Sequence, residues 1–478
     1  MANGVFRITR RSATAALGLA MGAGALAAWP RRPVAGKDAD VIVVGAGLAG
    51  LFCATWLTDA GYRVKVLEAG ERIGGRLWTL DRLPGAPEAG GAQIGQSYAR
   101  IRYVAERFGV RIVDAPARRE ETLIACGDRV INSRDWAAAP GNPMPDEFKS
   151  TPPGAALFAA AARDNPFAWA GDWRTKTAFA RDVSAGAFLD RLGFSPEARA
   201  LAEISLNANA LDEYSILNVW RSLQIFQQDA EIGPAGAAKG GAQRIPEAMA
   251  AALGDAVVTR FRARQVRPDG DGVAITDGVR TFRADYCVLA LPFPALNAIE
   301  IDPAPTGAQA RAIASLPYTQ ILQLHLEPET AFWEDDGLPL AMWTDGPLER
   351  LFVTRDRESG APLGLVAWIN GEGARALATL DDGALSALAA KELKRLRPAS
   401  RGAVRLRRTM RWTQGASYAG GAYMHWAPGQ AERWATVMGA PLGRVHFAGE
   451  HLSYLHTGME GAMESGQNAA EAIMGLSR

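Results

Sequence analysis

The hydrophobic pattern opens on a short unbroken apolar run, Val41-Ile-Val-Val44, of the kind that forms a strand buried on both faces. A helical rhythm follows over 51–60 and stops at Gly61, where the chain can turn left-handed. A second strand-like run, Val64-Lys-Val-Leu67, ends on Glu68. A helix is predicted over 98–108. Residues 116–235 read as helical and irregular, with an alanine-rich stretch at 153–162, an amphipathic run at 185–192 and an apolar helix through Trp220 to Phe226. Strand patterns occupy 257–266, 273–276 and 284–291, and strand-like runs alternate again across 341–370. A helix over 381–397 is stopped by Pro398. The pattern predicts an N-terminal β-α-β unit and a second unit built as a sheet with helices on one side.

Between the first strand and its helix stand Gly45, Gly47 and Gly50, at G-x-G-x-x-G spacing. Gly45 permits a tight turn, Gly47 lets a pyrophosphate approach the backbone, and Gly50 lets helix and strand pack closely. The helix start, with Leu48 and Ala49, offers unpaired N–H groups and a positive dipole end to phosphates. Glu68, followed by Ala69, stands where a carboxylate accepts hydrogen bonds from ribose hydroxyls. Strand, helix, second strand and terminal acid together point to a dinucleotide site; the bland alternative is a glycine-rich turn that binds nothing.

Composition changes this picture little. With 48% apolar and 22% charged residues and a net charge of +1, nothing in the bulk electrostatics predicts nucleic-acid binding. A chain of 478 residues has room for two or three domains. Cys53, Cys126 and Cys287 are odd in number and widely separated, so they make neither a disulfide framework nor a metal knuckle. His446, His451 and His456 recur every five residues, which does not gather them on one helix face, and no metal site is expected. The tryptophans are not interleaved with a basic stripe, so single-stranded nucleic acid is not suggested.

The first 36 residues differ from the rest. Arg10-Arg11-Ser12 precedes a stretch, 13–28, of Ala, Gly, Leu, Met and Thr that is short for a membrane span, and Ala25-Leu-Ala27 offers small residues at a cleavage point. Twin arginines suggest the route that exports folded proteins, hence a periplasmic location. Ala13 and Thr14 stand where a bulky apolar pair is usual; an uncleaved anchor and an unstructured cytoplasmic leader are the alternatives.

Two further blocks follow the first unit. Glu71-Arg-Ile-Gly74-Gly75-Arg76 sets adjacent glycines beside arginines, a loop that can approach phosphates while Arg72 and Arg76 balance their charge; alone, it could equally be a surface turn. Glu88-Ala-Gly90-Gly91-Ala92-Gln93-Ile94-Gly95 is another glycine-dense turn. In this order, the fingerprint and these blocks resemble the N-terminal run of the flavin-containing amine oxidase family, which includes monoamine oxidases, polyamine oxidases, L-amino-acid oxidases and bacterial nicotine-degrading amine oxidases. The chain's end is also similar to the family's. Phe447-Ala-Gly449-Glu450 and Met459-Glu-Gly-Ala-Met-Glu-Ser465-Gly466 match its F-A-G-E and M-E-G-A-x-x-S-G segments, and 239–246 resembles its G-G-x-x-x-L-P segment. The likeness runs from 40 to 478 and is loose between 116 and 235.

The resemblance implies an α/β fold: a doubly wound, Rossmann-like FAD-binding domain of the glutathione-reductase type from 38–115, 236–315 and 404–478, with a discontinuous α+β substrate domain from 116–235 and 316–403. It implies FAD rather than NAD, held by Gly45, Gly47, Leu48, Ala49, Gly50, Glu68, Ala69, Arg72, Gly74, Gly75, Arg76, Gly91, Ala92, Gln93, Ile94, Ala263 and Gly449. The Glu450 carboxylate would bond the ribityl or phosphate region, and the Met459 N–H the flavin pyrimidine carbonyls. Asn207, Asn209 and Tyr214 fall in the substrate domain, as pocket lining or as caps and packing. The implied reaction oxidises an amine C–N bond to an imine by hydride transfer to flavin N5, water then hydrolysing the imine. Electrons pass to O2, giving H2O2, or to a c-type cytochrome. Trp412 and Tyr423 are expected beside the reacting centre. Rival readings are an L-amino-acid oxidase or desaturase of the same superfamily and a non-catalytic FAD-binding assembly protein; a homodimer is compatible with any of them.

Several positions depart from the family's pattern. Ala422 stands where members with covalently attached flavin carry Cys, so non-covalent FAD is expected. Tyr423 matches the first of two aromatics that face each other across the flavin, but Gly458 stands at the second. The pocket is expected to admit a bulkier or secondary amine unless Trp426, Tyr454 or a substrate-domain Trp fills in. Gln323 aligns with a lysine held near flavin N5, which predicts a slow oxygen reaction and a cytochrome acceptor. Gln93 aligns with the arginine by which amino-acid oxidases hold a carboxylate; Arg100, Arg102 and Arg350 are the candidate replacements.

Overall fold

The computed structural model describes residues 36–114, 120–204, 206–356, 359–415 and 419–475. The expected export segment, Arg10 and Arg11 included, lies outside the described residues. Val41–Val44 is buried throughout and forms the middle of a five-stranded sheet. The spatial order is Val445–Phe447, Tyr286–Leu289, Val41–Val44, Val64–Leu67, Val257–Val258, and every pairing is parallel. An all-parallel sheet is covered on both faces, which is why its strands read as continuous apolar runs. Helix Leu48–Asp59 makes the first crossover, and the final helix Gly458–Ile473 lies directly against it. A Cβ on Gly466 would sit 2.2 Å from the Ala49 carbonyl oxygen, so the two helices meet backbone to backbone.

Two expected strands are divided. The 257–266 pattern yields Val257–Val258 in the parallel sheet and Gln265–Asp269 in a separate four-stranded sheet with Gly272–Thr276, Thr281–Ala284 and Glu300–Ile301. The ladder breaks because Arg260 (φ 56°) and Phe261 donate their N–H groups to the Gly70 and Glu68 carbonyls, at 3.0 and 2.9 Å. This straps the chain across the end of the second strand. The 284–291 pattern divides at Asp285, where the N–H groups of Asp285 and Tyr286 both turn to the Asp40 carbonyl.

The second unit is built on a seven-stranded mixed sheet. Its order is Val404–Trp412, Ile321–Pro328, Pro362–Asn370, Arg350–Arg355, Ala341–Thr344, Thr122–Cys126, Arg129–Asn132. One region of the sequence reading gains strands, and one boundary moves. The region 116–235 is not wholly helical, since its first part supplies two short strands to this sheet; at four and five residues they owe their form to pairing rather than to a local pattern. Val404–Trp412, expected to begin the return to the dinucleotide-binding unit, instead pairs antiparallel with Ile321–Pro328 along its whole length. Helix Asp382–Leu396 covers one face, Leu385 and Leu393 packing in one core with Leu322, Leu324 and Leu326. By strand alternation the opposite face carries Ile321, Met410 and Trp412, which pack with Leu80 and Ala89 of the glycine-rich segments.

Candidate active site

The three glycines of the first turn are required for three different reasons. Gly45 has φ 107°, and a Cβ there would lie 2.7 Å from the Ala290 carbonyl oxygen. A Cβ on Gly50 would lie 2.0 Å from the Gly45 carbonyl oxygen, so it is fixed by close packing. Around Gly47 nothing lies within 4 Å of a Cβ, leaving the open approach that a pyrophosphate needs. Leu48 and Ala49 begin a helix with no side-chain cap, so its first N–H groups face that space without a side-chain partner. Glu68 accepts the Ala46 and Gly70 N–H groups, one on each carboxylate oxygen at 2.8 Å. Each oxygen keeps a second lone pair for a ribose hydroxyl. Ala69 and Gly70 follow under the 260–261 strap, and Ala263 is buried just beyond it. Cradle, helix start and acid fit a dinucleotide.

The second loop closes over the first. Gly74 (φ 107°) donates to the Ala46 carbonyl at 2.9 Å, and a Cβ on Gly75 would lie 3.4 Å from the Gly47 Cα. Arg72 is held within its own loop. Its guanidinium donates to the Ile73, Leu77 and Gly75 carbonyls and stacks 4.3 Å over Trp78, so it shapes the loop while keeping its positive charge there. Arg76 bridges the ends of the chain, donating to the Glu450 carboxylate at 2.8 Å and to the Ala422 carbonyl at 2.9 Å. Glu450 is buried and also accepts the Met424 N–H, while Gly449 donates to Ser465 Oγ at 2.9 Å. Gly91 faces Met459 in the first turn of the final helix, where a Cβ would meet Sδ at 2.9 Å. Ala92 is partly buried and Gln93 exposed beside it. Ile94 is an anchor: its side chain is in the core and both its backbone groups are bonded to Gly236.

The candidate reacting end lies where the seven-stranded sheet meets these loops. Trp412 donates its indole N–H to the Ala89 carbonyl at 2.5 Å and packs in one cluster with Ile321, Met410, Ala422 and Tyr423. Gln323 is fully buried on the same face, opposite Met410 and Trp368. Gly458, next to Met459, has φ 57° and open space where a side chain would begin. Trp426 and Tyr454 pack with Trp173 and Trp169, at 5.7–6.5 Å between ring centroids, rather than filling that space. Burial raises the Tyr423 and Tyr214 hydroxyls above their ordinary range, so both are neutral donors. Asn209 is structural, its amide bonding the Tyr318 carbonyl and the Gln320 N–H, whereas Asn207 accepts from Arg350 at 3.2 Å.

Of the candidate arginines, Arg100 pairs with Glu460 and Arg102 with Asp114. Arg350 alone of the three interacts with Tyr423. The histidines are dispersed: His446 lies against Tyr286, His451 against Phe293, His456 against Tyr98. Sequence reasoning missed Arg221 and Glu464. Arg221 donates to the Tyr454 and His456 carbonyls at 3.1 and 2.7 Å. Glu464 accepts the N–H groups of Tyr454, Leu455 and His456 at 2.7–3.2 Å, so the pair fixes the loop that delivers Gly458. One buried charge in an apolar helix and the second acid of the M-E-G-A-M-E-S-G run were the available signals.

Comparison with known proteins agrees with this geometry. The model of the flavin-containing amine oxidoreductases matches residues 48–474. A flavin-containing amine oxidase of Danio rerio is 25% identical over 91% of this chain and 85% of its own. An L-amino-acid oxidase of Siganus canaliculatus is 25% identical over the same shares. The fold is that of cyclohexylamine oxidase from Brevibacterium oxydans (TM-score 0.73, 24% identity, 91% of this chain and 99% of that one). It is also that of a putrescine oxidase bound to putrescine (TM-score 0.72, 24% identity, the same coverage). With a cradle built for a dinucleotide and a family match over nearly its whole length, this chain belongs to the flavin-containing amine oxidoreductases and is an FAD-dependent oxidoreductase.

Proposed function

We propose that this enzyme oxidises a neutral amine at its C–N bond, with the α-carbon presented beside Tyr423, Trp412 and Gln323. When bound, FAD supplies a two-electron acceptor for the hydride that leaves that carbon. The nitrogen lone pair closes the C=N bond as the hydride departs, and water hydrolyses the imine to a carbonyl compound and an amine. The chain positions the C–H bond, excludes bulk water and favours the unprotonated amine, to which the neutral Tyr423, Trp412 and Gln323 side chains are suited. The observation that carries the reading is the cluster of Trp412 and Tyr423 packed beside the loops that hold Gly91 and Met459.

Four finer points belong to the same proposal. FAD is held non-covalently, because residue 422 is Ala and Cys53 and Cys287 are buried in the dinucleotide-binding unit. The open space at Gly458 admits a bulky or secondary amine. Gln323 brings no positive charge to oxygen, which supports a periplasmic cytochrome as acceptor. The twin arginines support export of the folded holoenzyme.

A second reading, an amino-acid substrate, is favoured by one observation: Arg350 donates to Asn207 at 3.2 Å, near enough for its charge to act on the Tyr423 hydroxyl. Anaerobic mixing of the enzyme with a panel of amines and amino acids, followed by flavin bleaching, separates the two. Reduction by simple amines is expected; reduction by amino acids alone selects the second reading, and no reduction by either overturns both.

A further inference from the structure

On the face of strand Ile321–Pro328 that carries Ile321, two uncharged polar side chains are fully buried: Gln323, with 0% exposure, and His325, with 2%. His325 Nε2 lies 3.2 Å from Gln323 Oε1. Gln323 Nε2 and His325 Nδ1 are buried and, among the described residues, hydrogen-bond to nothing. Burying unpartnered polar atoms is unfavourable, so a pair kept in this place points to ligands at its two ends. One end is the reacting side: Gln323 stands opposite Met410, and Ile321 opposite Trp412, on the face that meets Tyr423. The other end opens on a cavity of ≈ 20 Å³ bounded by His325, Leu83, Pro87, Thr354 and Arg407, enough for about one water.

Resting on the amine-oxidising reading, we propose that His325 is a positioning residue: its Nε2–H holds Gln323 Oε1 and so turns both N–H groups of the Gln323 amide toward the side where Trp412 and Tyr423 meet the substrate. Amide oxygen and nitrogen lie on opposite sides of one planar group, so fixing the oxygen fixes the donors. The tautomer follows from Nε2, which must carry the proton to donate to an amide oxygen and so leaves Nδ1 as the acceptor nitrogen. His325 stays neutral: burial, and then Arg408 on the neighbouring strand, bring it down to about 4. The other charges at the cavity, Arg407 and Glu327, pair with each other at 2.8 Å. In this chain a neutral donor held from behind thus takes the place expected for a lysine.

Selective nitrogen-15 labelling of the five histidines in the FAD-loaded enzyme tests this, with His325→Gln assigning the signal. The expected result is a neutral Nε2–H tautomer for His325 throughout pH 5 to 9. His325→Leu is expected to shift the flavin absorption spectrum and to slow anaerobic flavin reduction about tenfold, the size of one hydrogen bond lost. His325→Gln, which keeps a donor, is expected to restore both. An Nδ1–H tautomer or an imidazolium overturns the proposal, as does a His325→Leu enzyme with wild-type spectrum and reduction rate. If His325→Leu does not fold, the wild-type tautomer and the His325→Gln spectrum decide. If no amine reduces the wild-type flavin, the amine reading fails, while tautomer and spectrum still judge the pair.

Discussion

Replacing Gly47 and Gly50 by alanine, one at a time, separates a cofactor cradle from a merely tight turn. Gly47 sits at φ −83° and ψ −179°, a conformation open to any residue, and its Cβ would meet no atom within 4 Å. Gly47→Ala therefore changes the stability of the apoprotein by less than about 1 kcal/mol, the loss of a tolerable helix N-cap. The new methyl group occupies the approach to the helix start. Displacing one phosphate from a backbone N–H removes a charge-assisted hydrogen bond of about 1.5–3 kcal/mol, which raises the Kd for FAD roughly ten- to hundredfold. Gly50→Ala behaves in the opposite order. Its Cβ would lie 2.0 Å from the Gly45 carbonyl oxygen, so strand and helix must separate at a cost of about 3 kcal/mol or more. The midpoint of thermal unfolding of the apoprotein then falls by several degrees. Quenching of flavin fluorescence gives the Kd and calorimetry the unfolding midpoint. A Gly47→Ala protein that binds FAD like wild type refutes the cradle, and one as destabilised as Gly50→Ala refutes the division of roles between the glycines.

Gly458→Tyr is expected to fit the open space at a backbone cost of about 1–2 kcal/mol for φ 57°, and to lower kcat/KM for large secondary amines by tenfold or more while sparing small primary ones; equal rates for large amines would contradict it. Glu349, pushed up to about 8 by burial, holds its proton in the folded state after the unfolded chain has lost it, so stability falls as pH rises from about 4.5 to about 8. Glu349→Gln flattens that slope, by up to a few kcal/mol at pH 8.5, and thermal unfolding at pH 5 and 8.5 checks it. Gln323→Lys is expected to speed reoxidation of the reduced enzyme in air-saturated buffer by about tenfold or more, as a cation stabilises incipient superoxide; rapid reoxidation of the wild type in stopped flow removes the basis for it. Acid precipitation is expected to leave the yellow colour in the supernatant, and a yellow pellet would show a covalent flavin.

The sequence by itself determined the dinucleotide cradle. Gly45, Gly47, Gly50 and Glu68 lie within one β-α-β unit, and the constraints on them are local: a positive φ, an open approach, a close packing contact and a carboxylate at a strand end. The final block was legible only as the family's M-E-G-A-x-x-S-G pattern, because the contacts made there, Gly466 with Ala49 and Met459 with Gly91, join opposite ends of the chain. Tertiary structure alone decided the rest. It drew Arg72 into its own loop, paired Arg76 with Glu450 across the length of the chain, divided 257–266 at a strap onto Glu68, and moved 404–412 into the substrate-side sheet. It also left Gly458 open while Trp426 and Tyr454 packed elsewhere, and set His325 behind Gln323. Each of these depends on partners distant in sequence, on neighbouring strands or at opposite ends of the chain. Local propensity and spacing carry no record of such partners, because a strand's register and a charge's counter-ion are chosen only when the sheets and loops pack.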